Sequence, residues 1–235
     1  MLFTQILGKS NIKNYLWKNE INKWLLFVKD KGELERFIPR LTKMDDIKRG
    51  EVLAEISSAY VIEKILNYTI VRWEELTKNG KNVDFVLNAK SEEIYCEVKS
   101  PSWQSELSKE EKIGVRKTQP KYKNHEVRTF AHWKNIRYAI KKAYPKFLSN
   151  CKNLVIISDN LFVGILDFPT DSAIDIALFD DKKVYNDEKG VFVDYDYEKI
   201  GGILFININP GSKRGIYKCK FIANPNALKK YNLSI

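Results

Sequence analysis

Cysteine and histidine are both scarce in this chain of 235 residues. There are three cysteines, Cys96, Cys151 and Cys219, and two histidines, His125 and His132. Three widely spaced thiols make no disulfide framework, and that pattern suits a reducing cytoplasm. Neither histidine stands at a metal-ligand spacing from a cysteine, so no zinc site is expected. Long apolar runs are missing too: no stretch approaches the roughly 20 apolar residues a membrane helix needs. The opening MLFTQILGKSNIKNYLWKNE has a short apolar run interrupted by Lys9, unlike a signal peptide. There is no internal repeat, no low-complexity linker and no evident Ser-His-Asp arrangement for covalent catalysis. The expectation is a soluble cytoplasmic protein with no membrane partner.

What is abundant is positive charge. Forty Lys and Arg stand against 30 Asp and Glu, a net charge of +10. Such a surface attracts polyanions, nucleic acid among them. The chain is also long enough for one large domain with a sizeable core, or a domain with an appendage.

The apolar period divides the chain. From about Asn11 to Lys43, Tyr15, Leu16, Trp24, Leu25, Phe27, Val28, Leu34, Phe37 and Ile38 recur at helical spacing. The pattern breaks near Lys31-Gly32 and Pro39, which predicts two helices. A longer helix is expected over KRGEVLAEISSAYVIEKILN, residues 48–67. Then alternation takes over, and YTIVRW, VDFVLN and IYCEVK (68–73, 83–88, 94–99) read as strands. A helix is expected from Phe130 to Leu148, disturbed by Pro145. NLVIISD, FVGILDF, GGILFIN and YKCKFIAN are further strands, with a short helix at 171–178. NPGSKRG reads as a hairpin turn and ANPNA as a chain-ending turn. The fold class is therefore α/β, a mixed central sheet flanked by helices. Residues 1–47 are expected to be a helical N-terminal extension and 48–235 the main domain.

Glu97 and Lys99 carry the chemistry. Acid-x-Lys also occurs at Asp46/Lys48, Glu110/Lys112, Asp180/Lys182, Asp181/Lys183 and Asp187/Lys189. Those five lie in stretches that read as loop or exposed helix, where solvated charge is the plain account. Only Glu97 and Lys99 sit inside an apolar strand pattern, two residues apart and so on one face. A hairpin closed by AKSE would pair Asn88 with Glu93 and set Asp84 opposite Glu97. Facing residues in an antiparallel pair have Cβ atoms about 4.5–5.5 Å apart. Two acids so placed repel, and a divalent cation with Lys99 beside it would resolve the conflict.

These residues resemble the PD-(D/E)xK nuclease superfamily, which has the restriction-endonuclease-like fold. The likeness rests on a helix bearing Glu55 in EVLAEISSA, then VDFVL, then IYCEVKSP, and covers about Lys48 to Asp159. It implies that Asp84 and Glu97 are metal ligands, with Val98 between the two motif charges as a further metal contact. It implies that Lys99 orients or activates water and that Glu55 is an accessory acid, preferred to Glu51 one turn earlier. IRYAIKKAYPKFLSNCKNLVIISDN resembles the helix and fourth strand that follow in some members, many of which carry Gln where Lys146 stands here. The implied reaction is Mg²⁺-dependent hydrolysis of DNA phosphodiester bonds, with Mn²⁺ as a substitute. An endonuclease of restriction or repair type is expected ahead of an exonuclease. RNA stays open as a substrate, and cutting both strands of a duplex would call for a homodimer.

Between Lys109 and Lys146 twelve Lys or Arg stand against three acids, with Tyr122, Trp133, Tyr138 and Tyr144 among them. Arg116, Lys117, Lys121, Lys123, Lys134, Arg137 and Lys141 are expected to track phosphates. The rival readings are a nucleic-acid-binding protein that kept the fold without the activity, and an interaction module for an acidic protein partner.

Overall fold

The computed structural model describes residues 2–8, 15–43, 46–77, 80–101, 132–159, 171–182, 189–211 and 216–235. Four helices come first: α1 Leu2–Leu7, α2 Tyr15–Asp30, α3 Leu34–Lys43 and α4 Asp46–Lys64. The break expected at Lys31-Gly32 is there, with Gly32 at a φ of +76°, a conformation open to glycine. The break expected at Pro39 is not, because α3 runs through it. An interior proline removes one N–H and costs roughly 3 kcal/mol. Burial of Phe37 and Leu41 offsets that cost, Phe37 meeting the Trp73 ring edge-on at 5.7 Å.

Alternation then builds six strands: β1 Thr69–Trp73, β2 Phe85–Ala89, β3 Glu92–Lys99, β4 Lys152–Asp159, β5 Gly202–Ile208 and β6 Tyr217–Ala223. They lie in chain order across one mixed sheet. β1, β2 and β3 form an antiparallel meander, β4 and β5 run parallel to β3, and β6 turns back. Parallel neighbours need long crossovers. α5 His132–Ala143 lies in the first and α6 Asp171–Phe179 in the second. The helix expected to reach Leu148 stops at Ala143, where Pro145 enters the 3₁₀ turn Tyr144–Lys146. The strand expected over FVGILDF lies outside the described residues.

The sheet is covered on both faces. Phe85, Leu87, Ile94, Cys96, Leu154 and Ile156 point into one cluster with α1 to α4. Val86, Val155, Ile157 and Phe205 point into the other, with Ile136 and Ile140 of α5 and Ile174 and Leu178 of α6. Phe3, Trp24 and Phe37 belong to the first cluster, so α1, α2 and α3 share the core of the sheet. Trp24 Nε1 donates to the Tyr217 hydroxyl on β6 at 3.2 Å, which donates to Glu20 at 2.5 Å. No described helix is long and apolar enough to cross a membrane.

The β2–β3 hairpin has the expected register, with Asn88 paired to Glu93 and Phe85 to Cys96. Its turn is tighter than the four residues AKSE. Lys90 and Ser91 alone make it, both at positive φ, as a two-residue hairpin turn of the twisted kind requires. The pair sums are unchanged, so the side chains keep their faces.

Candidate active site

Ile94, Cys96 and Val98 of β3 point towards α1 to α4, and alternation turns Glu97 and Lys99 to the α5 side. Glu97 is 0% exposed. One of its oxygens, Oε1, receives two ammonium groups: Lys99 Nζ from the same strand, and Lys146 Nζ at 2.6 Å from the turn after α5. Its other oxygen, Oε2, is buried with no hydrogen-bond donor. Burial pushes the Glu97 carboxyl above its ordinary range and the charge of Asp84 adds to the push, while Lys99 and Lys146 oppose it.

Asp84 sits immediately before β2. The ladder ends at Phe85, so Asp84 is not the ladder partner of Glu97 that simple counting predicts. Its amide donates to Cys96 O at 3.0 Å, and its Oδ2 accepts the Val98 N–H at 2.7 Å. The carboxylate thereby closes the end of the hairpin, between Glu97 and Lys99 in sequence. Val98 offers its N–H to Asp84, while its side chain packs in the core.

Glu55 lies on α4, almost fully buried, while Glu51 one turn earlier is exposed. Its Oε2 pairs with Arg40 at 2.7 Å, and its Oε1 is buried without a partner. Burial, then the charge of Asp84, pushes the Glu55 carboxyl up to about 8 against the pull of Arg40. Asp84 thus acts on Glu55 and Glu97 alike. Arg40 also lies 3.6 Å from Glu74, which Arg36 holds at 2.8 Å. Arg40 and Glu74 were not among the expected site residues. The signal available was the Arg36/Arg40 spacing on one face of α3, but nothing in the sequence ties that face to Glu55.

A raised acid pKa makes the folded state the better proton binder between the unfolded and folded values. Stability from Glu55 is therefore full below about 4.5, and is lost as pH rises through about 8. Glu55→Gln should flatten that part of the melting-temperature profile between pH 5 and 8. Thermal melts across that range read it directly, and parallel profiles for parent and variant would contradict it.

Among the described residues, no three His, Cys, Asp or Glu side chains gather into a ready-made cation cage. The acids are engaged otherwise: Glu97 by two lysines, Asp84 by an amide, Glu55 by Arg40. The donor chemistry nevertheless fits a hard cation. One buried carboxylate oxygen, Glu97 Oε2, has no hydrogen-bond donor among the described residues, and such an oxygen is what Mg²⁺ takes beside its waters. Asp84 and Glu97 are the two acids that could hold such a cation.

Of the expected phosphate contacts, Lys134 and Lys141 are exposed on α5. Arg116, Lys117, Lys121 and Lys123 lie outside the described residues, as does His125. Arg137 is placed in the interior, only 3% exposed. Its guanidinium lies 4.9 Å from the Trp133 ring centre and donates to Ile176 O at 2.7 Å and Ala177 O at 3.3 Å, tying α5 to α6. A phosphate cannot reach it there, so its role is structural. Arg137→Ala should cost about 1.5–3 kcal/mol for lost hydrogen bonds to a charged group and leave nucleic-acid affinity unchanged. Denaturant titration and a binding isotherm check both halves.

No family model matches the chain, and the curated proteins and solved structures compared with it give no match either.

Proposed function

We propose that this protein is a metal-dependent nuclease with a restriction-endonuclease-like core, hydrolysing DNA phosphodiester bonds with Mg²⁺, or Mn²⁺ in its place. The observation that carries the reading is Glu97: a fully buried carboxylate between two lysines, one oxygen without a donor, beside Asp84. The order of elements supports it. A helix with a buried acid, a three-strand meander with Asp84 just before β2 and Glu97-x-Lys99 on β3, then a helix and a parallel strand follow the order of the sequence resemblance.

Asp84 and Glu97 would hold the ion. When bound, it neutralises phosphoryl charge and lowers the pKa of water. Lys99 holds the attacking water in line and offers positive charge where the transition state gathers negative charge. Glu55, with Arg40 as counter-charge, is the accessory acid, and Lys134 and Lys141 are exposed cations for the strand beyond the cut. Endonuclease action is preferred, and cutting both strands at one place would need a second copy of the chain.

One observation favours a second reading, binding without cleavage: the acids are already countered from within the protein. Cleavage of plasmid and single-stranded DNA, with and without Mg²⁺, by the parent and by Lys99→Ala and Asp84→Ala separates the two. Mg²⁺-dependent cutting lost in both variants supports the nuclease. Cutting without metal, or equal cutting by the variants, rejects the assignment, and binding without cutting selects the second reading.

A further inference from the structure

Two ammonium groups share one oxygen of Glu97 while the other oxygen has no donor. Both ammonium groups reach that one oxygen, so Glu97 keeps a partner if either of them leaves. The two lysines are not equivalent. Lys99 follows Glu97 by two positions on one strand face, so the strand itself keeps the pair together. Lys146 arrives from a separate element. Its turn is fixed by Pro145, whose ring sets φ, and by Phe147, buried directly after it. From that anchored backbone the Lys146 side chain, 29% exposed, reaches inward to Glu97.

The surroundings of Lys146 point outward in charge. α5, His132–Ala143, contains no acidic residue. Lys141 and Lys142 are exposed on its last turn, and Lys142 stands four residues before Lys146. Positive charge thus continues from the surface of α5 to the buried carboxylate. A compact ammonium on a flexible stem is a point-charge binder of phosphate.

We infer that Lys146 is a phosphate-contacting residue for a nucleic-acid strand, parked on Glu97 until the strand arrives. Its ammonium exchanges Glu97 Oε1 for a non-bridging oxygen of a backbone phosphate, while Lys99 stays on the acid. No bond is made or broken in the exchange. The inference rests on the nucleic-acid reading of this site but not on catalysis.

The test is equilibrium binding of a fluorescent single-stranded oligonucleotide in EDTA, followed from 50 to 200 mM salt. Each phosphate contact contributes about 0.7 to the slope of log K against log salt for a single strand. Lys146→Gln should lower that slope by about 0.7, and Lys146→Arg should keep it. An unchanged slope in Lys146→Gln overturns the inference even where the parent cuts DNA. A lowered slope in a protein that never cuts DNA upholds it while the nuclease reading falls. Absence of binding by the parent overturns it outright. A second measurement needs no variant: chemical acetylation of the parent, read by mass spectrometry, should slow at Lys146 when the oligonucleotide is present. Equal acetylation with and without it counts against the inference.

Discussion

Lys99→Ala is expected to lower Mg²⁺-dependent DNA cleavage by about 10²–10³-fold, the usual loss when one group stabilising a transition state is removed. The reason lies in the position of Lys99 on the α5 side of β3, next to a carboxylate with one oxygen to spare. Under the nuclease reading the loss should fall on kcat, because the developing negative charge is met only in the transition state. Asp84→Ala should lose at least as much, since it removes a proposed metal ligand and leaves the Val98 amide without its acceptor. Lys99→Ala should stay folded: Glu97 keeps Lys146, and Lys99 is itself partly exposed. Single-turnover cleavage at saturating Mg²⁺, beside a far-ultraviolet circular dichroism melt, checks both statements. A variant that melts like the parent and cuts like the parent would remove Lys99 from the chemistry.

Phe37→Ala should be strongly destabilising. Phe37 is fully buried, meets the Trp73 ring edge-on, and lies under the guanidinium groups of Arg36 and Arg40 at 5.9 and 5.8 Å. Truncating a buried phenylalanine costs about 3–5 kcal/mol. At roughly 2–4 °C per kcal/mol for a chain of this size, the melting temperature should fall by about 6–20 °C. The same change loosens α3, which carries Arg40 to Glu55. Under the nuclease reading, cleavage should therefore weaken at temperatures where most of the protein is still folded. A melting temperature within about 2 °C of the parent would mean that α3 contributes little to the core.

The parts of the site that lie on one strand or one hairpin were legible in the sequence. Alternation put Glu97 and Lys99 on one face, and the hairpin register followed from Asn88 and Glu93, even with the turn length misjudged. Glu55 could be preferred to Glu51 on its depth within the helix, and of the two it is Glu55 that is buried. What joins distant elements was not legible. Lys146 reaches Glu97 because α5 ends where Pro145 begins a tighter turn, and helical periodicity says nothing about where such a turn aims. Arg40 reaches Glu55 through the packing of α3 on α4, which spacing alone does not place. Arg137 is a different case. It lies four residues after Trp133 and between Ile136 and Ile140, all of them core residues, so its burial was there to be read. Counting it with Lys134 and Lys141 as one basic face hid the arc it shares with the core. Pro39 likewise looked like a stop, because the pattern weighs a lost hydrogen bond and cannot weigh the aromatic packing that outdoes it.

The two helical layers lie on opposite sides of the sheet, and each supplies one half of the charged centre. Arg40 and Glu55 come from the layer of α1 to α4, and Lys146 from the end of the α5 layer, with Asp84 at the hairpin mouth where the halves meet. Neither half is complete until its own layer has docked. A growing polypeptide that has made the first helices and the meander, but not yet α5, holds its acids without Lys146. Under the reading proposed here, the lysine that meets the nucleic-acid strand joins the centre after the acids are already in place.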